Sequence, residues 1–293
     1  MITVMGATGN TGRVVAETLL EQGEQVRVLG RSAERLKPFA DRGAEIRVGD
    51  ITDSRYLESA LSGSSAVYTL FPADPRSPDY RAQQDRLGIA TIEAVRKSGV
   101  RYVVNLGSIG HSLTCPVAGV LSQEDRLKAL DGVNVLALHA GFFFENHFMT
   151  LARIKRTGVN GTLIGPDVPI PMVASRDIGI AAANALRSRD FQGFVTRELL
   201  GERDLTMTEA TRILGQAIGM PKLTYLQISS EEFKNDLVQL GLSDNMAELI
   251  VDAFGGYDEG RMRSEDGRRP ESTTPTRFEL FADSFAQAFR AAA

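Results

Sequence analysis

The stretch Met1-Ile2-Thr3-Val4-Met5-Gly6-Ala7-Thr8-Gly9-Asn10-Thr11-Gly12 decides how the rest of the chain is read. Ile2 to Met5 is an apolar run suited to a buried strand. Three glycines follow at three-residue spacing, and from Arg13 to Gln22 the residues Val15, Ala16, Leu19 and Leu20 recur at helical spacing. Strand, glycine turn and helix in that order give a weak motif its structural context. Gly6 allows a tight turn as the strand ends, Gly9 lets the backbone approach a pyrophosphate, and Gly12 lets the helix sit close to the sheet. The first N–H groups of that helix face the phosphates, and its dipole favours their charge. Thr8, Asn10 and Thr11 add hydroxyl and amide donors. A glycine-rich turn with no ligand has the same composition, but the flanking strand and helix argue for dinucleotide binding.

Working outward, Gln25 to Leu29 alternates as a second strand and ends at Gly30-Arg31-Ser32. In a dinucleotide fold this tip lies beside the adenine ribose, where an acid favours NAD. The chain instead offers Arg31, 19 positions beyond Gly12, followed by Ser32. A guanidinium suits a 2′-phosphate by geometry and charge, and Arg35 and Lys37 can add to the field. The expected cofactor is therefore NADP(H) rather than NAD(H), the alternative being a solvated charge at a strand end. Ala33 to Arg42 reads as a helix bent or shortened by Pro38. Ala44 to Val48 reads as a third strand, leading to Gly49-Asp50-Ile51-Thr52-Asp53. Asp50 stands where a carboxylate can accept from an adenine amino group, whereas Asp53 reads as the cap of the helix from Ser54 to Leu61.

Ser65 to Leu70 reads as strand four, and its exit at Leu70-Phe71-Pro72 should run past the cofactor ribose. Arg81 to Ser98 reads as a long helix with Ile89, Ile92 and Val95 inward. Val100 to Leu106 is strand five, leaving through Gly107-Ser108-Ile109-Gly110-His111, with Gly107 against the cofactor. Val133 to Leu138 is strand six, leaving through His139-Ala140-Gly141-Phe142-Phe143-Phe144-Glu145-Asn146. Strands alternating with helices across short loops specify an α/β fold with a doubly wound parallel sheet, a Rossmann architecture.

After residue 150 the texture is less regular. Residues 1–150 are expected to form the dinucleotide-binding domain and 151–293 a smaller α/β substrate-covering region, with about 170–188 packing back on the first. Val159-Asn160-Gly161 reads as a turn, and Ser175, Thr206, Ser229 and Ser243 as helix caps. The stretch from Gly255 to Pro275, rich in Gly, Arg, Asp, Glu, Ser, Thr and Pro, reads as a mobile surface loop.

Bulk properties set limits. With 293 residues, 43% hydrophobic and 24% charged, the chain has an ordinary globular composition. Its net charge of −4 implies no nucleic-acid partner. No apolar run approaches the roughly 20 residues that span a bilayer, so no membrane association is expected. One cysteine, Cys115, fits a reducing cytoplasm, and three scattered histidines show no metal-ligand spacing, so no metal site is expected. A homodimer or a protein partner stays open.

The opening Gly-Ala-Thr-Gly-Asn-Thr-Gly, Gly30-Arg31-Ser32, Gly49-Asp50-Ile51-Thr52-Asp53, Gly141-Phe142-Phe143-Phe144-Glu145-Asn146 and Ser175-Arg176-Asp177-Ile178-Gly179 resemble the NmrA-like family. This family is an atypical, extended branch of the short-chain dehydrogenase/reductases. The resemblance covers nearly the whole chain, and Gly-Phe-Phe-Phe-Glu-Asn is its more specific element. It implies NAD(P)(H) binding through Gly6, Thr8, Gly9, Asn10, Thr11 and Arg31, with adenine contacts at Asp50 and Ile51 and contacts near Leu70 and Phe71. It also implies that Phe142 to Asn146 lies by the nicotinamide. That places Phe142 and Phe143 on the cofactor, and Phe144 and Asn146, with His139, in the substrate pocket; plain core packing is the alternative for any one ring. Asp177 reads as a helix-start residue.

Relatives that work on alcohols and ketones use a tyrosine four residues before a lysine, the tyrosine passing the proton. Here the residues four beyond Tyr56, Tyr68, Tyr80, Tyr102, Tyr225 and Tyr257 are Ala60, Pro72, Gln84, Leu106, Ser229 and Arg261. Counted back from the Phe-Glu-Asn segment, the pair should fall near Val117 and Leu121. The usual acid–base pair is therefore missing. Two readings follow. One is an NADPH-dependent oxidoreductase passing hydride to a small electron-poor acceptor, such as a quinone, azo compound, imine or activated double bond, with Ser108 and His111 best placed to assist. The other is a non-catalytic NADP(H) sensor acting through a protein partner.

Overall fold

The structure is a computed structural model describing residues 1–110 and 116–291. His111 and Cys115 lie outside the described residues. The first half runs β1 (Ile2–Val4), α1 (Asn10–Glu21), β2 (Val26–Gly30), α2 (Ala33–Ala40), β3 (Glu45–Val48), α3 (Ser54–Leu61), β4 (Ala66–Thr69), α4 (Tyr80–Ser98), β5 (Tyr102–Ser108), α5 (Val117–Lys128) and β6 (Asn134–Ala140). The second half runs β7 (Phe142–Phe143), α6 (Leu151–Thr157), β8 (Val159–Thr162), β9 (Ile170–Val173), α7 (Ser175–Ser188), β10 (Phe194–Leu199), β11 (Asp204–Leu205), α8 (Met207–Ala217), β12 (Thr224–Gln227), α9 (Ser230–Gln239), α10 (Asp244–Asp258) and α11 (Phe278–Ala291).

The large sheet has seven strands in the order β10-β6-β5-β4-β1-β2-β3, and every pair is parallel. Parallel strands covered on both faces must be apolar along their length. Accordingly β1 and β4, at the centre, are buried at every position. On one face α1, α2 and α7 pack with Val15, Leu19, Leu36, Phe39, Ile178 and Leu186 inward. On the other, α3, α4 and α5 pack with Leu57, Leu61, Val95 and Leu127 inward. The chain builds outward from β1 through β2 to β3, then returns to the other side of β1 for β4, β5 and β6. The strand order therefore reverses between β1 and β4, and the crevice outside their carboxyl ends is where such sheets take ligands.

A third core lies in the second half, where Phe142, Phe144, Phe254, Tyr257, Phe278, Phe281 and Phe285 gather with aliphatic residues of α8, α9 and α10. Around it stand a three-stranded sheet, β11-β9-β7, and a parallel pair, β12-β8.

The sequence expectations need five corrections. β10 pairs with β6 through Leu199 and extends the large sheet, so the return to the first region goes beyond residue 188. Val159-Asn160-Gly161 is strand β8, paired with Thr224 to Leu226, rather than a turn. Ile89 is 51% exposed, while Ile92 and Val95 point inward as expected. Ser175 does not cap α7: it is the first helical residue, and its N–H and hydroxyl are held by Glu145. The stretch from 255 to 275 is a surface loop over most of its length but not all of it: α10 continues to Asp258, and a short turn of 3-10 helix forms at Pro270–Ser272.

Candidate dinucleotide and acceptor site

The site begins where β1 ends. Gly6 has φ +64°, a conformation that L side chains rarely adopt, and the turn closes with Gly9 N–H donating to Gly6 O at 2.9 Å. A Cβ on Gly12 would sit 2.3 Å from Gly6 O, so the start of α1 rests on the turn itself. A Cβ on Gly9 would meet only Gly6 O, at 3.3 Å, and otherwise face open space. The helix opens at Asn10 with Gly9 as N-cap, no side-chain cap and no acid in its first turn. By contrast α2, α3, α4, α8, α9 and α10 are all capped by a Ser, Asp or Thr side chain. An uncapped N-terminus in the switch-point crevice leaves first-turn N–H groups and the positive end of the helix dipole for an anion. A glycine cradle that a Cβ would fill, with open donors behind it, fits a dinucleotide pyrophosphate.

The side chains sort more finely than the sequence suggests. Thr11 is buried, and its Oγ1 accepts from Tyr68 Oη at 3.0 Å, so its hydroxyl faces the sheet. Burial holds the Tyr68 phenol well above the ordinary tyrosine range. Thr8 and Asn10 are on the open side. Leu70 packs beneath the turn, with Cδ2 2.8 Å from where a Gly6 Cβ would stand, and Phe71 is half-buried beside it.

At the ribose end, Ser32 Oγ accepts from Arg35 N–H at 3.3 Å and serves as the cap of α2. Arg31 is exposed and, among the described residues, holds no ion pair. Arg35 reaches back across the gap and donates to Thr8 O at 3.4 Å. Lys37 is occupied with Asp41 at 2.7 Å and turns away. Asp50 closes its own turn, accepting from Thr52 N–H and Oγ1, each at 2.9 Å, with Ile51 half-buried beside it. Asp53 caps α3, as its position before Ser54 predicts.

At the acceptor end, Ser108 is half-buried and donates to Ile109 O at 3.0 Å. The positions matching the missing tyrosine and lysine lie on α5. Val117 is 5% exposed within the aromatic core, and Leu121 packs against it. Phe142 and Phe144 are taken up by that same core: Phe142 meets Phe254 and Tyr257 edge-on at 5.3 and 5.6 Å, and Phe144 meets Phe278 at 5.0 Å. Of the three rings only Phe143 is partly open, and Asn146 is half-buried. Glu145 ties this segment to α7, and Asp177 in the first turn of α7 accepts from Thr276 N–H and Oγ1 at 2.9 and 2.6 Å. Asp177 thereby fastens the approach to α11 as well as starting its own helix.

Three residues were not singled out from the sequence. Glu124 on α5 is 3% exposed and bonds His139 Nε2 at 3.0 Å. Burial opposes charge on His139. The Glu124 hydrogen bond and the charges of Glu124, Glu198 and Glu265 outweigh it and raise its pKa. Met262 lies in the aromatic core and against Gly110. His147 is fully enclosed by Phe142 and Phe278. A helix pattern from 117 to 128 was the available signal for Glu124; nothing local marked the other two. Among the described residues no group of three or more His, Cys, Asp or Glu side chains could hold a metal ion, and no helix is long and apolar enough to cross a membrane.

A family model described as NAD(P)H-binding matches residues 6–136. The chain is 30% identical over 259 residues to the (4-alkanoyl-5-oxo-2,5-dihydrofuran-3-yl)methyl phosphate reductase of Streptomyces griseus subsp. griseus, covering 87% of this chain and 84% of that one. It is 27% identical over 268 residues to quinone oxidoreductase 2 of Escherichia coli, covering 89% of each. NmrA, a negative transcriptional regulator solved in complex with NADP, shares the fold at TM-score 0.70 and 15% identity over 99% of this chain and 97% of that one. The chain belongs to the NAD(P)-binding NmrA-like family. A member of this fold, the NADPH-dependent quinone oxidoreductase QOR2 of Escherichia coli complexed with NADPH, superposes at TM-score 0.81 with 23% identity, over 97% of this chain and 99% of that one. Family membership accounts for the uncapped α1 and the glycine turn together.

Proposed function

We propose that this member of the family is an NADPH-dependent reductase that passes hydride to a small electron-poor acceptor of the quinone, azo, imine or activated-alkene type. The observation that carries the reading is an uncapped helix start at the switch point with Arg31, which holds no ion pair among the described residues, beside it, in a chain with apolar Val117 and Leu121 where the tyrosine and lysine should fall. NADPH would supply the hydride. The open N–H groups of Asn10, Thr11 and Gly12 hold its pyrophosphate, Gly9 allows the approach, and Arg31 and Arg35 take the 2′-phosphate. Gly6, Ser32, Leu70 and Phe71 shape the turn and its floor, Asp50 and Ile51 flank the adenine, and Gly107 and Phe143 border the nicotinamide side.

At the acceptor end the chain contributes orientation and exclusion of water rather than a tyrosine acid. An electron-poor acceptor takes hydride without prior protonation, and its proton follows from water or from a hydroxyl such as that of Ser108. Alcohol oxidation, which needs a base at the start, is disfavoured by the same arrangement. The relatives named as quinone and furanyl phosphate reductases support acceptors of this class.

The test is a calorimetric titration with NADPH and NADH, followed by a quinone and azo panel monitored at the nicotinamide absorbance. Turnover with NADPH is expected. Replacing Arg31 by Asp should weaken NADPH roughly 10- to 100-fold, the worth of one charge-assisted bond, while NADH changes far less. Tight NADPH binding with no turnover across the panel would overturn the reductase reading in favour of a sensor.

A further inference from the structure

Residues 259–275 cross the carboxyl ends of several strands and are fixed at three places. At the exit of β5, Gly110 adopts φ +86°, and a Cβ there would lie 2.5 Å from Arg261 O and 2.8 Å from Met262 Cα. At β10, Ser264 Oγ and the Glu265 N–H both donate to the Glu198 carboxylate, the latter at 2.9 Å. Beyond β10, Arg268 donates to Leu200 O at 3.0 Å and pairs with Asp204, while Leu200 N–H donates to Ser272 O at 2.8 Å. A cavity of about 170 Å³ lies beneath this crossing, lined by Pro171, Tyr257, Met262, Ser264 and Arg268.

The middle anchor differs from the other two. Glu198 stands directly across the β6–β10 ladder from His139. His139 is also hydrogen-bonded to Glu124, which is 3% exposed. Among the described residues, the charged groups facing the imidazole are Glu124 from α5, Glu198 from β10 and Glu265 from the crossing segment. β5 places Gly107 beside it, where a Cβ would lie 2.8 Å from Glu124 Oε1 and 3.0 Å from His139 Cδ2. The absence of a side chain there is what lets the carboxylate and imidazole meet.

We propose that residues 259–275 form a strap latched over the carboxyl edge of the sheet by the imidazolium of His139, and that the latch loosens when His139 loses its proton. A carboxylate as buried as Glu124 needs a partner cation, and a deprotonated His139 offers none. Glu124 and Glu198 then face one another across a neutral ring. Glu124 is fixed on a helix, so the repulsion is relieved by movement at Glu198 and the Ser264–Glu265 contacts it carries. The sign follows from linkage. The folded-state pKa of His139 is raised above its ordinary 6.5. The latch is therefore complete below the ordinary value and is lost as pH rises through the raised one. Where the strap covers the acceptor end, alkaline conditions open it; that consequence rests on the reductase reading, whereas the latch itself does not.

The test is hydrogen exchange of the full-length protein from pH 6 to 9, corrected for intrinsic exchange, read at the Glu265 amide and its neighbours. In the wild type, protection should fall by up to roughly tenfold per unit as pH climbs from the ordinary 6.5 to the raised His139 pKa, the weight of one proton, and level off above it. His139→Arg, with a permanent cation, should stay protected throughout. His139→Gln should be exposed throughout. Should either fail to fold, Glu198→Gln keeps the question open to NMR: removing that carboxylate should lower the titration midpoint of the His139 ring. A pH response that persists in His139→Arg, a wild type with none, or a His139 midpoint unmoved by Glu198→Gln would each overturn the latch. None of these readouts depends on turnover, so a failed latch and a failed reductase are separate results.

Discussion

Gly9 and Gly12 are interchangeable letters in a spacing pattern, yet their surroundings differ sharply. A Cβ at position 12 would strike backbone, 2.3 Å from Gly6 O, and backbone cannot rotate away as a side-chain end can. Gly12→Ala should therefore cost about 1–3 kcal/mol, as overpacking does, visible as a lowered urea midpoint without any ligand present. Gly9→Ala meets only one atom at 3.3 Å and should leave that midpoint nearly unchanged while reducing NADPH affinity. If Gly12→Ala unfolds at the wild-type midpoint, the close seating of α1 on its turn is wrong. These roles were readable in the sequence because they arise within a dozen residues, from the steric limits of one turn. The Glu124–His139 pair was not. Its partners are 15 positions apart on an unassigned helix and a strand, and only the β5–β6 pairing beside Gly107 brings them together.

Among the elements, α1 and α7 solve the same problem in opposite ways. Both begin without a cap from their own N-cap residue. The α1 terminus has no side-chain cap and no acid in its first turn among the described residues, whereas that of α7 is covered by Glu145, an acid from the Phe-Glu-Asn segment 30 residues earlier. A carboxylate at a helix N-terminus is favoured by hydrogen bonds and by the dipole together. Glu145→Ala should cost about 2 kcal/mol, in the range of a hydrogen bond to a charged group, and should speed amide exchange in the first turn of α7. Glu145→Gln should recover part of the loss, since an amide oxygen still accepts. Equal exchange in wild type and Glu145→Ala would mean that the helix start is held by packing alone. The sequence marked this segment as distinctive but not why. Helices such as α8, whose capping box of Thr206 and Glu209 is complete within four residues, were legible, because cap and helix are contiguous. A cap supplied from another element leaves no such local trace. The same holds for β10: Phe194 to Leu199 carries the polar Thr196, Arg197 and Glu198 on a sheet edge, and only its pairing with β6 shows which sheet it extends.

For the whole molecule, the balance between its cores sets the response to acid. Two apolar layers sandwich the parallel sheet, and the alternation of strands and helices in the sequence was enough to foresee them. The aromatic core of the second half is assembled from residues as distant as Phe142 and Phe285, and at its centre is His147. This ring is 2% exposed, Nε2 has no hydrogen-bond partner among the described residues, and burial pushes its pKa down to about 3. Unfolded chains bind this proton near pH 6.5, the ordinary value, while the native state refuses it until near pH 3. Native stability from this residue is thus full above pH 6.5 and falls steadily as pH drops below it, because the unfolded state gains the proton. By pH 5 the loss should reach roughly 2 kcal/mol, at 1.36 kcal/mol per unit. His147→Phe keeps an aromatic ring of similar bulk among Phe142, Phe278 and Phe281 and removes the proton. Urea midpoints of the two proteins, normalised at pH 8, should diverge as pH falls to 5, with the Phe variant holding the greater share of its stability. Carboxylates contribute to both curves alike, so the divergence isolates the imidazole. Curves that run parallel from pH 8 to pH 5 would show that His147 takes up its proton in the folded state, and that the aromatic core is less closed to water than its packing implies.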